Sequence, residues 1–218
     1  RRGPQSVEGI NAWAEALYGF AKAAGLSMNK GDVYTTLFET AMLGQKDCGG
    51  LINVGYLSGE PVTGLEEGRP MMVRMPGTAL SFANLARSLV YGAIVTLKIG
   101  MDILADEHVR MDALLGHGGF FKTPGTAQQL LAGALNVPVS VMATAGEGGP
   151  WGMALLAAYR VRREAGETLE AYLKNKVFAG ASGSTLDPDP ADHEGFEAYT
   201  RRFTQALEAE RAAVSHLK

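Results

Sequence analysis

The segment Leu114 to Arg160, LLGHGGFFKTPGTAQQLLAGALNVPVSVMATAGEGGPWGMALLAAYR, restricts the fold of this chain more than any other. It reads as strand, Gly-Gly turn, helix, strand, Gly-rich turn, helix. The pattern is a βαβα unit, and such units build parallel sheets. Both turns fall at the carboxyl ends of strands, where open α/β sheets form their ligand crevices. A turn without side chains lets a planar or phosphorylated ligand approach the backbone.

The strand expected at Ala113 to Gly116 reads as buried. Pro124 or Gly125 opens the next helix, which ends near Asn136. Pro138 to Met142 is the second strand. Trp151 to Arg163 is a helix apolar at nearly every position, as packing on a sheet requires. Upstream, Val7 to Gly25 shows apolar residues at helical spacing, with Gly25 as the stop. A second helix follows near Asp32 to Leu43. Gly49-Gly50 leads into a short strand, Leu51 to Val54. The Gly- and Pro-dense stretch Gly55 to Pro70 is irregular. Met71 to Met75 is another short strand. A long helix spans about Thr78 to Leu104, capped by Ser81 or Thr78. Downstream, Glu167 to Lys176 is a short helix and Gly180 to His193 is expected to be a surface loop. Gly195 to Lys218 is an amphipathic helix with Phe196, Tyr199, Phe203 and Leu207 along one stripe.

Composition narrows the function classes. The 218 residues are 46% apolar and 20% charged, which suits a globular chain with a core. A net charge of -3 gives no electrostatic case for nucleic acid or an anionic membrane. No segment has about 18 uninterrupted apolar residues, so no transmembrane helix is expected. The 28 glycines exceed the ~7% average and imply many tight turns. A single cysteine, Cys48, rules out an intrachain disulfide and points to a reducing, cytoplasmic compartment. Cys48 has no obvious local base and is a poor nucleophile candidate. Arg1-Arg2-Gly3-Pro4 lacks the apolar region of a signal peptide, and the missing initiator Met suggests a fragment of a longer chain.

Taken by itself, Gly118-Gly119 is a tight packing turn or a nucleotide contact. Neither GxxxxGK[ST] nor a full GxGxxG is present, so a P-loop or dinucleotide fold is unsupported. Glu147 beside Gly148-Gly149 suits a helix N-terminus or a ribose hydroxyl. The four histidines are scattered without metal spacing. His117, at the turn, reads as a turn residue before a ligand.

Three motifs in this order resemble the FGGY carbohydrate kinases, sugar kinases of the actin-like ATPase superfamily. GYLSGEP at Gly55 to Pro61 is similar to the family's PYLSGER loop. ANLARSLVYGAI at Ala83 to Ile94 is similar to its LARAxLEGxA helix. GGFFKTP at Gly118 to Pro124, then Gln128, PVSV and EGGPWGMALLAAY, is similar to its GGGAxSP…Q…PV…EaxALGAAllAa pattern. The resemblance covers roughly Ile10 to Tyr159 and is nearest the pentulose kinases, ribulokinase and xylulokinase.

The resemblance implies an α/β, ribonuclease H-like C-terminal lobe, helix-rich and with an incomplete sheet. Residues 1–165 would form the nucleotide-binding lobe and 166–218 a helical extension packed on it. ATP with Mg²⁺ would lie between this lobe and an N-terminal lobe that holds the sugar. Gly118, Gly119 and Phe120 would lie against the nucleotide, with Thr123 near adenine. Arg74 would contact phosphate or form a surface salt bridge. The reaction would pass the γ-phosphoryl group to a pentulose hydroxyl, with a carboxylate taking the proton. The catalytic Asp and the Gly-Thr phosphate turn belong upstream in the family, so no catalytic residue is assigned here and this segment alone is expected to be inactive. The tail helix, expected to be exposed, could support a homodimer.

Several positions depart from the family pattern. Phe120 replaces the third Gly, where it would stack on the base or narrow the pocket. Tyr91 replaces the helix Glu, Ala132-Gly133 replaces an Asp, and Pro70 and Arg74 replace glycines. These departures keep two alternatives open: a non-catalytic sugar or nucleotide sensor on the same fold, and another kinase of the family acting on glycerol or gluconate.

Overall fold

The computed structural model describes residues 5–143, 148–179 and 182–217. Seven helices of the α or mixed type and five strands carry the chain within those limits. They are α1 (Gln5–Ala23), α2 (Lys30–Ala41), β1 (Leu51–Val54), β2 (Met71–Arg74), α3 (Phe82–Asp106), β3 (Leu114–Gly116), α4 (Thr126–Leu135), β4 (Val139–Met142), α5 (Gly148–Arg162), α6 (Leu169–Tyr172), β5 (Gly183–Leu186) and α7 (Pro190–His216).

The core is built around α3. Helices α1, α2 and α4, strand β1 and helix α7 all pack against it. Ser81 caps its start by accepting from the Asn84 N–H at 3.1 Å. By length and a mean hydropathy of 1.5, α3 could cross a membrane. Its surroundings give that composition another cause. Leu89, Val90, Tyr91, Ile94 and Val95 are buried among the neighbouring elements, and so is Arg87.

Strands β1 and β2 pair antiparallel, Leu51 opposite Arg74. The other sheet has the order β3-β4-β5. Its β3–β4 pair is parallel, and β4–β5 is antiparallel. The fold is therefore helix-rich with small, incomplete sheets, as the resemblance implies. The loop between β1 and β2 is irregular, apart from a 3₁₀ turn at Pro61–Thr63 and a bridge between Glu60 and Leu65.

Four expectations are corrected. Strand β3 lies at a sheet edge, so Leu115 is 57% exposed rather than buried. The stretch expected as a surface loop, Gly180 to His193, contains β5 and the first turn of α7. Its Gly and Ser residues hid a strand that is stabilised by pairing with β4, not by its own propensity. Helix α5 does not bury itself against the sheet: Met153 is 75% and Val161 83% exposed. Apolar residues all round its circumference define no single stripe. Its packing runs instead to α6, where Tyr159 donates to the Glu167 carbonyl and meets the Tyr172 ring edge-on. Finally, the apolar stripe of α7 is covered instead of exposed. Phe196, Tyr199, Phe203 and Leu207 are all buried within this chain.

Helix α7 is held at three levels. Near its start, Asp192 accepts from Arg87 of α3 at 2.7 Å, and both side chains are almost completely buried. Lys46 reaches the same carboxylate oxygen at 2.7 Å. Arg87 is otherwise satisfied by the Ala41 and Met42 carbonyls and by the Tyr91 hydroxyl. A Cβ on Gly133 of α4 would sit 2.5 Å from the Asp192 Cβ, so this carboxylate can enter only because residue 133 is glycine. The two departures at Tyr91 and Gly133 thus belong to one site. In the middle of α7, the Tyr199 hydroxyl accepts from the Asn53 N–H at 3.2 Å and faces the Asn53 and Ser88 carbonyls. Toward its end, Glu210 accepts from the Arg69 N–H, and Arg211 donates to the Thr63 and Gly64 carbonyls.

Removing one member of a buried ion pair strands the other charge. Asp192→Ala is expected to destabilise the domain by about 3–5 kcal/mol in urea unfolding, and a change below 1 kcal/mol would refute the role given to the pair.

Burial raises the Glu210 carboxyl above its ordinary value of 4.5, an effect that the Arg69 N–H and charge only partly offset. A raised acid favours the folded state while it is protonated, and that contribution is lost as pH rises through the elevated value. Glu210→Gln is therefore expected to raise the melting temperature at neutral pH, with the gain fading as pH falls toward 4.5. Equal gains at both pH values would contradict this.

Candidate nucleotide-binding cleft

The Gly-Gly turn after β3 is followed by a segment, Phe121 to Gly125, that lines a cleft. Gly118 has φ 98 and ψ -179, a conformation that side chains resist, and a 3₁₀ turn follows at Gly119–Phe121. The turn throws two adjacent rings in different directions. Phe120 goes into the core, edge-on to Phe38 with centroids 5.5 Å apart. Phe121 lines the cleft and passes so close to Gly116 that a Cβ there would lie 2.6 Å from its ring.

The cleft has a volume of about 520 Å³. One wall is the segment Phe121 to Gly125. The rest of the lining comes from Val141 to Ala143 at the end of β4 and from Ser182 to Ser184 of the paired strand segment. Gln128 also lines it. Helix α4 opens here, with Gly125 as N-cap and no side-chain cap. Pro124 precedes the cap instead of occupying the first helical position. Uncapped N–H groups and the helix dipole give this end a partial positive character suited to an anion or a polar ring edge.

The sequence-derived candidates separate in space. Thr123 is buried at the cleft wall. Gly118 and Gly119 stand on the turn that leads into it. Phe120 belongs to the core and is absent from the lining. Arg74 is exposed at the end of β2, on the other sheet, and no ion pair to it forms among the described residues. Glu147 lies outside the described residues. His117 is exposed and lines no wall of the cleft. Cys48 is buried, and burial pushes its thiol well above the usual range, which makes it a poor nucleophile.

Sequence reasoning missed Phe121, Lys122, Ser182 and Ser184. Ser182 and Ser184 depend on a strand that the local pattern conceals. Lys122 and Phe121 were hidden by the attention that the glycines attract. The lining carries no carboxylate, and among the described residues no group of three His, Cys, Asp or Glu could hold a metal. These residues do not fit a protein-held Mg²⁺.

The model of the C-terminal domain of the FGGY family of carbohydrate kinases matches residues 5–161. The chain belongs to the FGGY family. Solved structures agree on the fold. Xylulose kinase from Lactobacillus acidophilus superposes with a TM-score of 0.68 at 19% identity, covering 94% of this chain and 39% of that one. Gluconate kinase from the same organism gives 0.62 at 20% identity, over 84% and 35%. Plasmodium falciparum glycerol kinase with ADP gives 0.62 at 18% identity, over 89% and 36%. This FGGY domain thus spans well under half the length of these kinases. No curated protein matches its sequence significantly.

The left-of-trans backbone at Gly118 has open space around it, so an added side chain meets strain and no clash. Gly118→Ala is expected to cost about 1–3 kcal/mol of stability, read as a lowered melting temperature. An unchanged melting temperature would show that the turn relaxes freely.

Proposed function

We propose that this domain is the nucleotide-binding half of a kinase that transfers the γ-phosphoryl group of ATP to a hydroxyl of a pentulose, ribulose or xylulose. The observation that carries the reading is the cleft at the carboxyl ends of β3 and β4, in a domain of a carbohydrate kinase family. Thr123 lines the cleft, Gly118–Gly119 stand on the turn just before its Phe121–Gly125 lining, and the uncapped end of α4 opens beside Thr123.

Phosphoryl transfer asks a protein mainly to position its reactants and to stabilise charge. In this domain Thr123 and Gly118–Gly119 would hold the adenosine end. Phe120 acts indirectly, by anchoring the turn to Phe38. Mg²⁺ would supply charge neutralisation at the phosphates, held by groups other than the described residues. The catalytic base, the phosphate turn and the sugar pocket belong to an N-terminal lobe, the domain's main partner. Arg74 remains a candidate phosphate contact across the interlobe space, since it is exposed and without an ion-pair partner among the described residues. A cytoplasmic setting suits the lone buried cysteine. The pentulose assignment rests on the YLSGE, LARS and GGFFKTP motifs.

Titrating ADP into the ¹⁵N-labelled chain is expected to move the amide resonances of Gly118, Gly119, Thr123 and Ser184. Undisturbed resonances at millimolar ADP would sink the cleft as a nucleotide site. With the complete protein, ribulose or xylulose is expected to stimulate ADP release within a panel of ketoses and polyols. Stimulation by glycerol or gluconate alone would reassign the substrate, and tight binding without turnover would identify a sensor.

A further inference from the structure

We propose that Gln128 is a positioning residue for the nucleotide. By tying β5 to β4 and α4, it makes Ser182–Ser184 the second wall of the cleft. The inference rests on the reading that nucleotide occupies this cleft.

Gln128 stands in the first turn of α4 and is only 3% exposed. A side-chain amide has two N–H donors and one acceptor oxygen. Both donors are used: Nε2 donates to the Val139 carbonyl at 2.7 Å and to the Ser184 carbonyl at 2.9 Å. Its Oε1 accepts from the Ser184 hydroxyl at 3.0 Å. One side chain therefore joins a helix and two strands. It has no spare donor with which to read a base, so any effect on the ligand passes through what it holds.

What it holds is otherwise lightly fixed. Strand β5 is the edge of its sheet, and Gly183, Ser184 and Thr185 are exposed. Beyond the backbone ladder, its side-chain attachments among the described residues are the Gln128 bonds and an exposed Ser140–Thr185 hydroxyl contact of 2.7 Å. The ladder is extended by the Ala143 N–H donating to the Ser182 carbonyl at 3.0 Å. Ser182 to Ser184 line the same cleft as Phe121 to Gly125. Cleft width on the β5 side is thus set by a buried amide whose donors and acceptor are all taken by the protein. The ligand class is the nucleoside end of a nucleoside triphosphate, gripped between a backbone turn and a serine-bearing strand.

The test uses the complete kinase, with KM for ATP, KM for the pentulose and kcat measured separately. Ser184→Ala removes a single neutral hydrogen bond and is expected to raise the KM for ATP about 5-fold. Ser184→Thr keeps the hydroxyl and should restore it. Gln128→Leu removes three bonds and should raise the KM for ATP at least ~10-fold. In each case kcat and the sugar KM should stay within about twofold. Should Gln128→Leu fail to fold, the Ser184 pair decides. Pro124→Trp adds bulk to the Phe121–Gly125 part of the lining while leaving the Gln128 and Ser184 side chains unaltered. If Pro124→Trp leaves the KM for ATP unchanged, the cleft is not the nucleotide site and the function reading itself fails. If Pro124→Trp weakens ATP while the Gln128 and Ser184 variants do not, only the positioning role is overturned. Parallel changes in kcat and both KM values would also overturn it, because they signal a general structural defect.

Discussion

The Arg87–Asp192 ion pair joins the two ends of the domain at the centre of its core. Arg87 comes from α3, on which most other elements pack, and Asp192 comes from the first turn of α7. A buried pair contributes little net stability, since both charges surrender water. Its value lies in specification. The pair fixes where α7 begins, with help from Lys46 and from the space left at Gly133. Once that point is set, Phe196, Tyr199 and Phe203 fall in register against α3 and β1. The family pattern places a carboxylate at position 91 and another near position 133. Here one acid from the C-terminal helix serves the buried arginine, and Tyr91 completes the set with its hydroxyl.

The cleft depends on that registration. Strand β5 directly precedes α7, so the seat of α7 limits where β5 can lie. Gln128 then finishes the placement. The candidate site is consequently assembled from both a conventional βαβ crevice and an antiparallel edge strand delivered from downstream. Its chemistry is that of a holder: hydroxyls, backbone groups and a helix end, with no carboxylate to take a proton.

Much of this architecture was legible in the residues. Leu51 to Val54 and Met71 to Met75 declare themselves as short apolar runs between turn residues, and strands form at Leu51–Val54 and Met71–Arg74. The stripe of α7 was readable because its aromatic residues recur at helical spacing. What failed was everything decided by tertiary context. GSTL carries weak strand propensity and becomes β5 only through β4. An unbroken apolar helix looks buried from its composition, yet burial of α5 would need a surface that the described residues do not provide. Phe120 illustrates the same limit at one residue. The motif placed it beside the nucleotide, whereas the 3₁₀ turn points its ring at Phe38.

The contact between Tyr199 and Asn53 joins positions 146 residues apart. On a translating ribosome, β1 emerges long before the helix that covers it. Leu51, Val54 and the face of α3 must wait, solvent-facing, until α7 has been synthesised. Such a delayed closure exposes apolar surface during synthesis and invites chaperone capture. Helix α7 therefore closes this core in time as well as in space, and a product stalled before α7 would emerge with its core still open.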